Sequence, residues 1–341
     1  MYETFYGLTG KPFQLNPDPA FLFASKGHSS AYAYLKYGVF QGEGFIVVTG
    51  EIGAGKTTLV RALLEELDPN RVVAAQLVST MLDSDNLLRA VATAFGLAVR
   101  GEDKAHLLAG LEAFLTSLVT QNKRALLVVD EAQNLSPQAM EELRMLSNFQ
   151  LGDRALLQSF LVGQPELRDL MRAPTMQQLR QRIIASYHLG PMDKAETRAY
   201  IEHRLQRVGW KGDPAFEDEA FGRIYEATAG IPRRINQLCN RLLLAGYLAE
   251  KHALALSDVE DVAKEIGAEL SADPPRAPVM VLPTAQRAGG GEPVSMDFAS
   301  LAATIDRMDG NIEVILDMLQ SIVRPSGRGK PGAKSGGSSG A

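Results

Sequence analysis

Gly50-Glu51-Ile52-Gly53-Ala54-Gly55-Lys56-Thr57-Thr58 is the stretch on which the fold turns. It carries the spacing G-x-x-x-x-G-K-[ST] and lies between a short apolar, β-branched run at 45–49 and a helix-length stretch at 55–66. Glycines at 50, 53 and 55 let the backbone wrap an anion without Cβ clashes, so successive N–H groups and the helix N-terminus aim at phosphate oxygens. Lys56 adds a point charge and Thr57 a hydroxyl ligand for Mg²⁺. A glycine-rich turn could match the spacing by accident, but the strand before it and the helix after it speak for a phosphate loop made of all nine residues.

Outward from the loop, short β-branched runs alternate with amphipathic stretches. Strands are expected at 45–49, 72–78, 125–130, 156–162 and 184–189, the α/β pattern of a parallel sheet covered by helices. Phe-Ile-Val-Val at 45–48 and Ala-Leu-Leu-Val-Val at 125–129 are continuously apolar, as strands covered on both faces must be. The second of these runs into Asp130-Glu131-Ala132-Gln133. At the end of a strand beside a phosphate loop, Asp130 can join Thr57 as a metal ligand and Glu131 can orient and polarise an attacking water. The alternative is a strand that ends in a solvated acidic turn.

After Asp193 strand signals vanish and three or four helices follow, one opening at Pro232 with Ile235, Leu238, Cys239, Leu242 and Leu243 on one stripe. On that stripe Cys239 reads as packing. Residues 271–294, rich in Pro and Gly, read as a flexible linker. In 295–324, Phe298, Leu301, Ile305, Met308, Ile312, Ile315, Leu319 and Ile322 recur at alternating spacings of three and four, a coiled-coil seam. That helix would self-associate, take a partner's helix, or dock on its own globular part. Residues 325–341, rich in Gly and Ser and basic, read as a disordered tail.

Composition bounds the rest. With 341 residues, 45% hydrophobic and 22% charged, the chain can bury a large core and is not disordered throughout. Formal charge is −5, which excludes a global basic field for nucleic acid or anionic lipid and leaves only local patches. A lone cysteine, Cys239, permits no intramolecular disulfide. No apolar run reaches a membrane span and no leader is evident at the start, so a cytoplasmic location is expected, peripheral to the inner membrane through partners at most.

With these residues in place the chain resembles the AAA+ ATPases, in particular the general-secretion-pathway protein A type and, within it, the ATPases associated with exosortase/PEP-CTERM and exopolysaccharide clusters. The resemblance covers about residues 1–268. It rests on Phe5-Tyr6-Gly7-Leu8, Lys11-Pro12-Phe13, Asn16-Pro17-Asp18-Pro19, His28, Tyr37-Gly38, the phosphate loop, Val129-Asp130-Glu131-Ala132-Gln133, Val162-Gly163-Gln164-Pro165-Glu166-Leu167 and Gly230-Ile231-Pro232-Arg233-Arg234-Ile235-Asn236. It implies a P-loop NTPase αβα sandwich with a five-stranded parallel sheet in order 5-1-4-3-2. An N-terminal segment (1–41) would pack on the nucleotide site, ahead of the ATPase core (42–191) and a helical lid (192–270).

The resemblance implies ATP and Mg²⁺ as cofactors and assigns Gln164 as the polar sensor at the end of the fourth strand, although many relatives carry Asn or Thr there. A loop residue capping the next helix is the other reading of Gln164. Arg233 would be the lid's sensor of the γ-phosphate, or else a solvated arginine at a helix start. Arg182 is the candidate arginine finger acting on a neighbouring subunit, with Arg180 second, and a shared site would make the enzyme a ring or helical oligomer. His28, with Phe13 and Phe21, falls in the segment that in similar proteins folds over the adenine; plainer roles are core packing for the aromatics and a satisfied polar group for His28. Three functional classes follow: an ATP-driven motor or switch accessory to an export or exopolysaccharide system, a DNA-binding ATPase of the transposition target-selector type, and a nucleotide-gated scaffold with little turnover.

Overall fold

A computed structural model describes residues 1–78, 82–99 and 103–271. Apart from Ser271, the expected linker, heptad helix and tail lie outside the described residues. Five strands form one sheet: β1 (Phe45–Gly50), β2 (Val72–Val78), β3 (Arg124–Asp130), β4 (Leu157–Gly163) and β5 (Ile183–Leu189). Each end lies within one residue of its expected position. The strands pair in parallel in the order β2-β3-β4-β1-β5, which is 5-1-4-3-2 read from the other edge. In register, Thr49 faces Gly163 on one side and His188 on the other, and Val129 faces Leu161. The C-terminal ends of β1, β3 and β4 therefore come together along one edge of the sheet.

The period-two geometry of a strand sends alternate residues to opposite faces. Phe45 and Val47 join Leu127, Val129 and Leu161 in one core, with α3 (Ser84–Ala94), α4 (Lys104–Thr120) and α5 (Pro137–Leu146) supplying the opposing leucines. Ile46 and Val48 join Leu126, Val128 and Phe160 in the other, beneath α1 (Lys26–Gln41) and α2 (Lys56–Glu66). β4 is buried at every position although it carries Gln158 and Ser159. Burying the Gln158 amide is tolerable because its Nε2 donates to the carbonyls of Gly38 at 2.7 Å and Glu43 at 3.0 Å.

After β5 come α6 (Lys194–Arg207), α7 (Asp218–Thr228), α8 (Pro232–Leu248) and α9 (Leu256–Ser271). Asp193 and Glu196 close a capping box at the start of α6, which satisfies the first orphan donors of the helix. Strands do not vanish altogether here, as the sequence suggested: Ala215–Phe216 pairs in parallel with Ala253–Leu254. A second short ladder joins Gln150–Leu151 to Arg154–Ala155. Two residues are too few to show an alternating pattern. No described helix is long and apolar enough to cross a membrane.

The helical domain completes its core with Tyr2, Tyr6, Leu8 and Phe13. Tyr2 Oη donates to Asn240 Oδ1 at 2.8 Å and Tyr6 Oη to the Lys251 carbonyl at 3.1 Å. The segment 1–41, expected to pack on the nucleotide site, has three parts. Its first residues belong to the helical domain, a middle strap borders the cavity described next, and α1 covers the sheet.

Candidate functional site

The loop from Gly50 to Gly55 leaves β1 and enters α2 with Gly53 at φ 82° and Gly55 at φ 97°, left-handed conformations that glycine adopts freely. Neighbours close in on the same two positions. A Cβ on Gly53 would lie 2.3 Å from Arg233 Cβ, and one on Gly55 would lie 2.8 Å from His28 Nε2. Gly55 caps α2 without a side chain, and the first intrahelical bond is made by Leu59 N–H to the Gly55 carbonyl. The N–H groups of Lys56, Thr57 and Thr58 therefore have no intrahelical acceptor, which is the donor arrangement that binds phosphate.

Lys56 is buried and its Nζ donates to the carbonyls of Gly50 at 2.8 Å and Glu51 at 3.0 Å. Burial lowers its pKa, while Glu131, Asp130, Glu51 and Glu166 oppose that shift. Asp130, at the end of β3, is 8% exposed and accepts from Thr57 Oγ1 at 2.9 Å and from the Glu131 N–H at 3.0 Å. Two hard oxygen ligands thus meet at the mouth of the loop, the donor chemistry Mg²⁺ takes. The fit extends to the loop, where a Cβ would fill the space at Gly53 and Gly55.

Glu131 follows in a left-handed turn, φ 53° and ψ 40°, a conformation rare for a residue with a side chain. Its Oε2 accepts from Gln133 Nε2 at 2.6 Å and from Gln164 Nε2 at 3.1 Å. Burial pushes its pKa up, but these two donors and Lys56 outweigh burial and hold it below the usual value. Gln164 is brought to the site through Glu131 and does not itself line the cavity.

A cavity of about 400 Å³ runs from the loop to the strap. Ile52, Gly53, Gly55, Lys56, Thr57, Thr58, Glu131 and His28 line one end; Gln14, Asn16, Phe21, Tyr200, Arg204 and Asn236 line the other. Arg233 reaches it from the first turn of α8, and its backbone N–H, an orphan donor of that turn, bonds to the Gly53 carbonyl at 3.1 Å. The helical domain is therefore tied directly to the phosphate loop.

His28 is a buried, fully hydrogen-bonded polar group that also lines the cavity. Its Nε2 lies 3.0 Å from the Ala54 carbonyl and its Nδ1 2.7 Å from Ser25 Oγ. A carbonyl only accepts, so Nε2 carries the proton and Nδ1 accepts from the Ser25 hydroxyl, which in turn caps α1 by accepting the His28 N–H at 3.2 Å. Burial lowers its pKa against the opposing pull of the Ala54 carbonyl and Glu196. Because acid favours the unfolded chain, where histidine takes up its proton more readily, the stability His28 supplies is whole above pH about 6.5 and declines as pH falls below it. His28→Gln is expected to cost about 1–3 kcal/mol at pH 7.5 for the buried bonds lost. In urea titrations it should show a smaller stability difference than the parent between pH 7.5 and 5.5. An equal difference in both proteins would clear His28 of the acid sensitivity.

Tyr200 and Arg204, at the strap end of the cavity, were not legible as site residues in the sequence. Arg204 Nε donates to the Pro12 carbonyl at 2.5 Å, Nη1 to Tyr200 Oη at 3.1 Å and Nη2 to the Gln14 carbonyl at 3.3 Å. Its guanidinium lies 4.7 Å from the centroid of the Phe21 ring. Tyr200 Oη donates to Asn236 Oδ1 at 2.8 Å. Tyr200 and Arg204 are one turn apart on α6, an ordinary helical spacing. Asn236 closes the motif that begins at Gly230, the one signal that could have marked it. Phe13 is core, whereas Phe21 lines the cavity.

Arg182 lies elsewhere. It precedes the first residue of β5, whereas the phosphate loop follows the end of β1, its parallel neighbour, so a strand length of roughly 20 Å separates them. Its Nη1 donates to Ser147 O at 2.9 Å and Oγ at 3.0 Å, and Nη2 bonds to Asn148 Oδ1. Arg180 is similarly held by the carbonyls of Met171 at 2.6 Å and Ala173 at 3.1 Å. Cys239 is fully buried and burial raises its pKa, which leaves it a packing residue.

Residues 39–171 match the family model described as an AAA domain. Over 267 residues the chain is 38% identical to general secretion pathway protein A of Aeromonas hydrophila, a match covering 78% of this chain and 48% of that protein. The chain thus spans about half the length of the curated relative it matches. Among solved structures, the Aeropyrum pernix ORC2 protein in its ADPNP-ADP complexes is similar with a TM-score of 0.56 and 19% identity, over 75% of this chain and 71% of that one. The Aeropyrum pernix ORC1 protein in complex with DNA is similar with a TM-score of 0.57 and 17% identity, over 75% and 69%. At such identities the likeness is one of fold, and the fold is that of the α/β P-loop NTPases.

Proposed function

We propose that this chain binds ATP with Mg²⁺ and hydrolyses it to ADP and phosphate, working as an oligomeric motor or switch for secretion machinery. The observation that carries the reading is the Thr57–Asp130 hydrogen bond, which joins the phosphate loop to the end of β3 beside Glu131 and Lys56. Bound Mg²⁺ would supply charge neutralisation at the phosphates. Thr57 and Asp130 would hold it, Lys56 and the α2 N-terminus would receive the phosphate oxygens, and Arg233 would sense them from the lid. Glu131 takes the proton of the attacking water while Gln164 steadies its carboxylate. Arg182, a strand length from its own loop, would act as a finger only on a neighbouring subunit and after leaving its bonds to Ser147 and Asn148.

Secretion as the setting is supported by the 38% identity to general secretion pathway protein A. Within that setting the amino-terminal motifs favour an exosortase/PEP-CTERM or exopolysaccharide system, with the chain cytoplasmic and reaching the inner membrane through partner proteins. Calorimetry and phosphate release test the reading. Purified protein should bind ATP and turn it over only with Mg²⁺. Lys56→Ala should weaken binding about 10- to 100-fold, as loss of a charge-assisted bond worth 1.5–3 kcal/mol requires. Light scattering should show a larger mass with ATP. Failure to bind ATP would overturn the whole reading, and salt-sensitive duplex binding that stimulates turnover would move the protein to the DNA-dependent class.

A further inference from the structure

We infer that Gln133 is a positioning residue that locks Glu131 and the Gln164 loop into one fixed relation, a role resting on the reading of this site as an ATP-hydrolysing one. Gln133 sits in the short turn after β3, and both ends of its amide are used. Nε2 donates to Glu131 Oε2 at 2.6 Å and Oε1 accepts the backbone N–H of Gln164 at 3.0 Å. Gln164 Nε2 returns to the same Glu131 oxygen at 3.1 Å, closing a triangle across two loops 31 residues apart. Room for it is built into the sheet: a Cβ on Gly163, the last residue of β4, would lie 2.7 Å from Gln133 Oε1.

Both donors take Oε2 of Glu131, and no bond among the described residues uses Oε1. A flexible glutamate side chain on a turn would otherwise sample many rotamers. Gripped at one oxygen, it presents the other at a defined place to a water in the cavity that Glu131 lines. Gln133 does not line that cavity, so its effect must pass through Glu131 and Gln164.

Three variants test this in the full chain. Gln133→Leu leaves an apolar side chain one atom shorter and loses both bonds; Gln133→Glu keeps the acceptor for Gln164 N–H and loses the donor to Glu131. Each should lower kcat about 10- to 100-fold, the loss that misplacing a reacting group produces, with KM for ATP changed less than about threefold. Added to Glu131→Gln, Gln133→Leu should cost no further turnover in single-turnover assays, because two residues acting as a unit are not additive. Unchanged kcat, KM rising in step with the fall, or an equal further loss in the double variant would overturn the proposal. Should Gln133→Leu fail to fold, Gln133→Glu carries the same test. An active parent with indifferent variants sinks this inference alone; a parent that binds ATP without turnover sinks it together with the hydrolytic reading.

Discussion

Glu131→Gln is expected to leave ATP binding within a few-fold of the parent and to lower turnover about 10²–10⁴-fold, the range set by loss of a general base. The substitution isolates chemistry from architecture. Glu131 uses Oε2 to accept two amide donors, from Gln133 and Gln164. Glutamine keeps an oxygen for both, so the triangle can persist while the basic carboxylate is removed. Asp130 and Thr57 retain their own bond and the metal position is untouched. Binding by calorimetry alongside phosphate release separates the two effects. Turnover close to that of the parent would remove Glu131 from the role of base, and lost binding would mean that it shapes the loop.

The second large effect is structural. Gly230, at φ 69°, follows Ala229 at φ 52°, and this pair of left-handed residues reverses the chain between α7 and α8. A Cβ on Gly230 would lie 2.0 Å from the Met192 carbonyl oxygen, and the Met192 N–H is bonded to the Gly230 carbonyl at 3.0 Å. The link from the sheet to the helical domain is thereby pinned to the start of the helix that carries Arg233. Gly230→Ala adds an unfavourable backbone conformation, about 1–2 kcal/mol, to a backbone clash that neither side can relieve by a rotamer change. We expect a total of about 3–5 kcal/mol and weaker ATP binding as Arg233 shifts. Gly96→Ala provides the comparison: φ is 81° but nothing lies within 4 Å of the added Cβ, so only the conformational cost should appear. Equal losses in urea unfolding for the two variants would show that the Met192 contact does not matter.

Much of the sheet was readable because its signals are local. The runs at 45–48 and 125–129 are apolar without interruption, and a strand covered on both faces leaves little else it can be. The phosphate loop was readable because its glycines, lysine and threonine act on one ligand from adjacent positions. β4 was readable as a strand but not as a fully buried one, since Gln158 carries no sign that the carbonyls of Gly38 and Glu43 will receive its amide.

The amino acids alone therefore determined the α/β architecture, the phosphate loop and the placement of Asp130 and Glu131 at a strand end, since periodicity and short-range spacing encode each of these. Only the tertiary structure decided that Tyr2 and Tyr6 complete the core of the helical domain, and that Arg204 clamps the strap over the cavity. It alone set Gln133 between Glu131 and Gln164, and Arg182 a strand length from its own loop. These relations join residues from 31 to 245 positions apart. Such pairings come from which elements pack together, and no local pattern of side chains records a partner so distant in the chain.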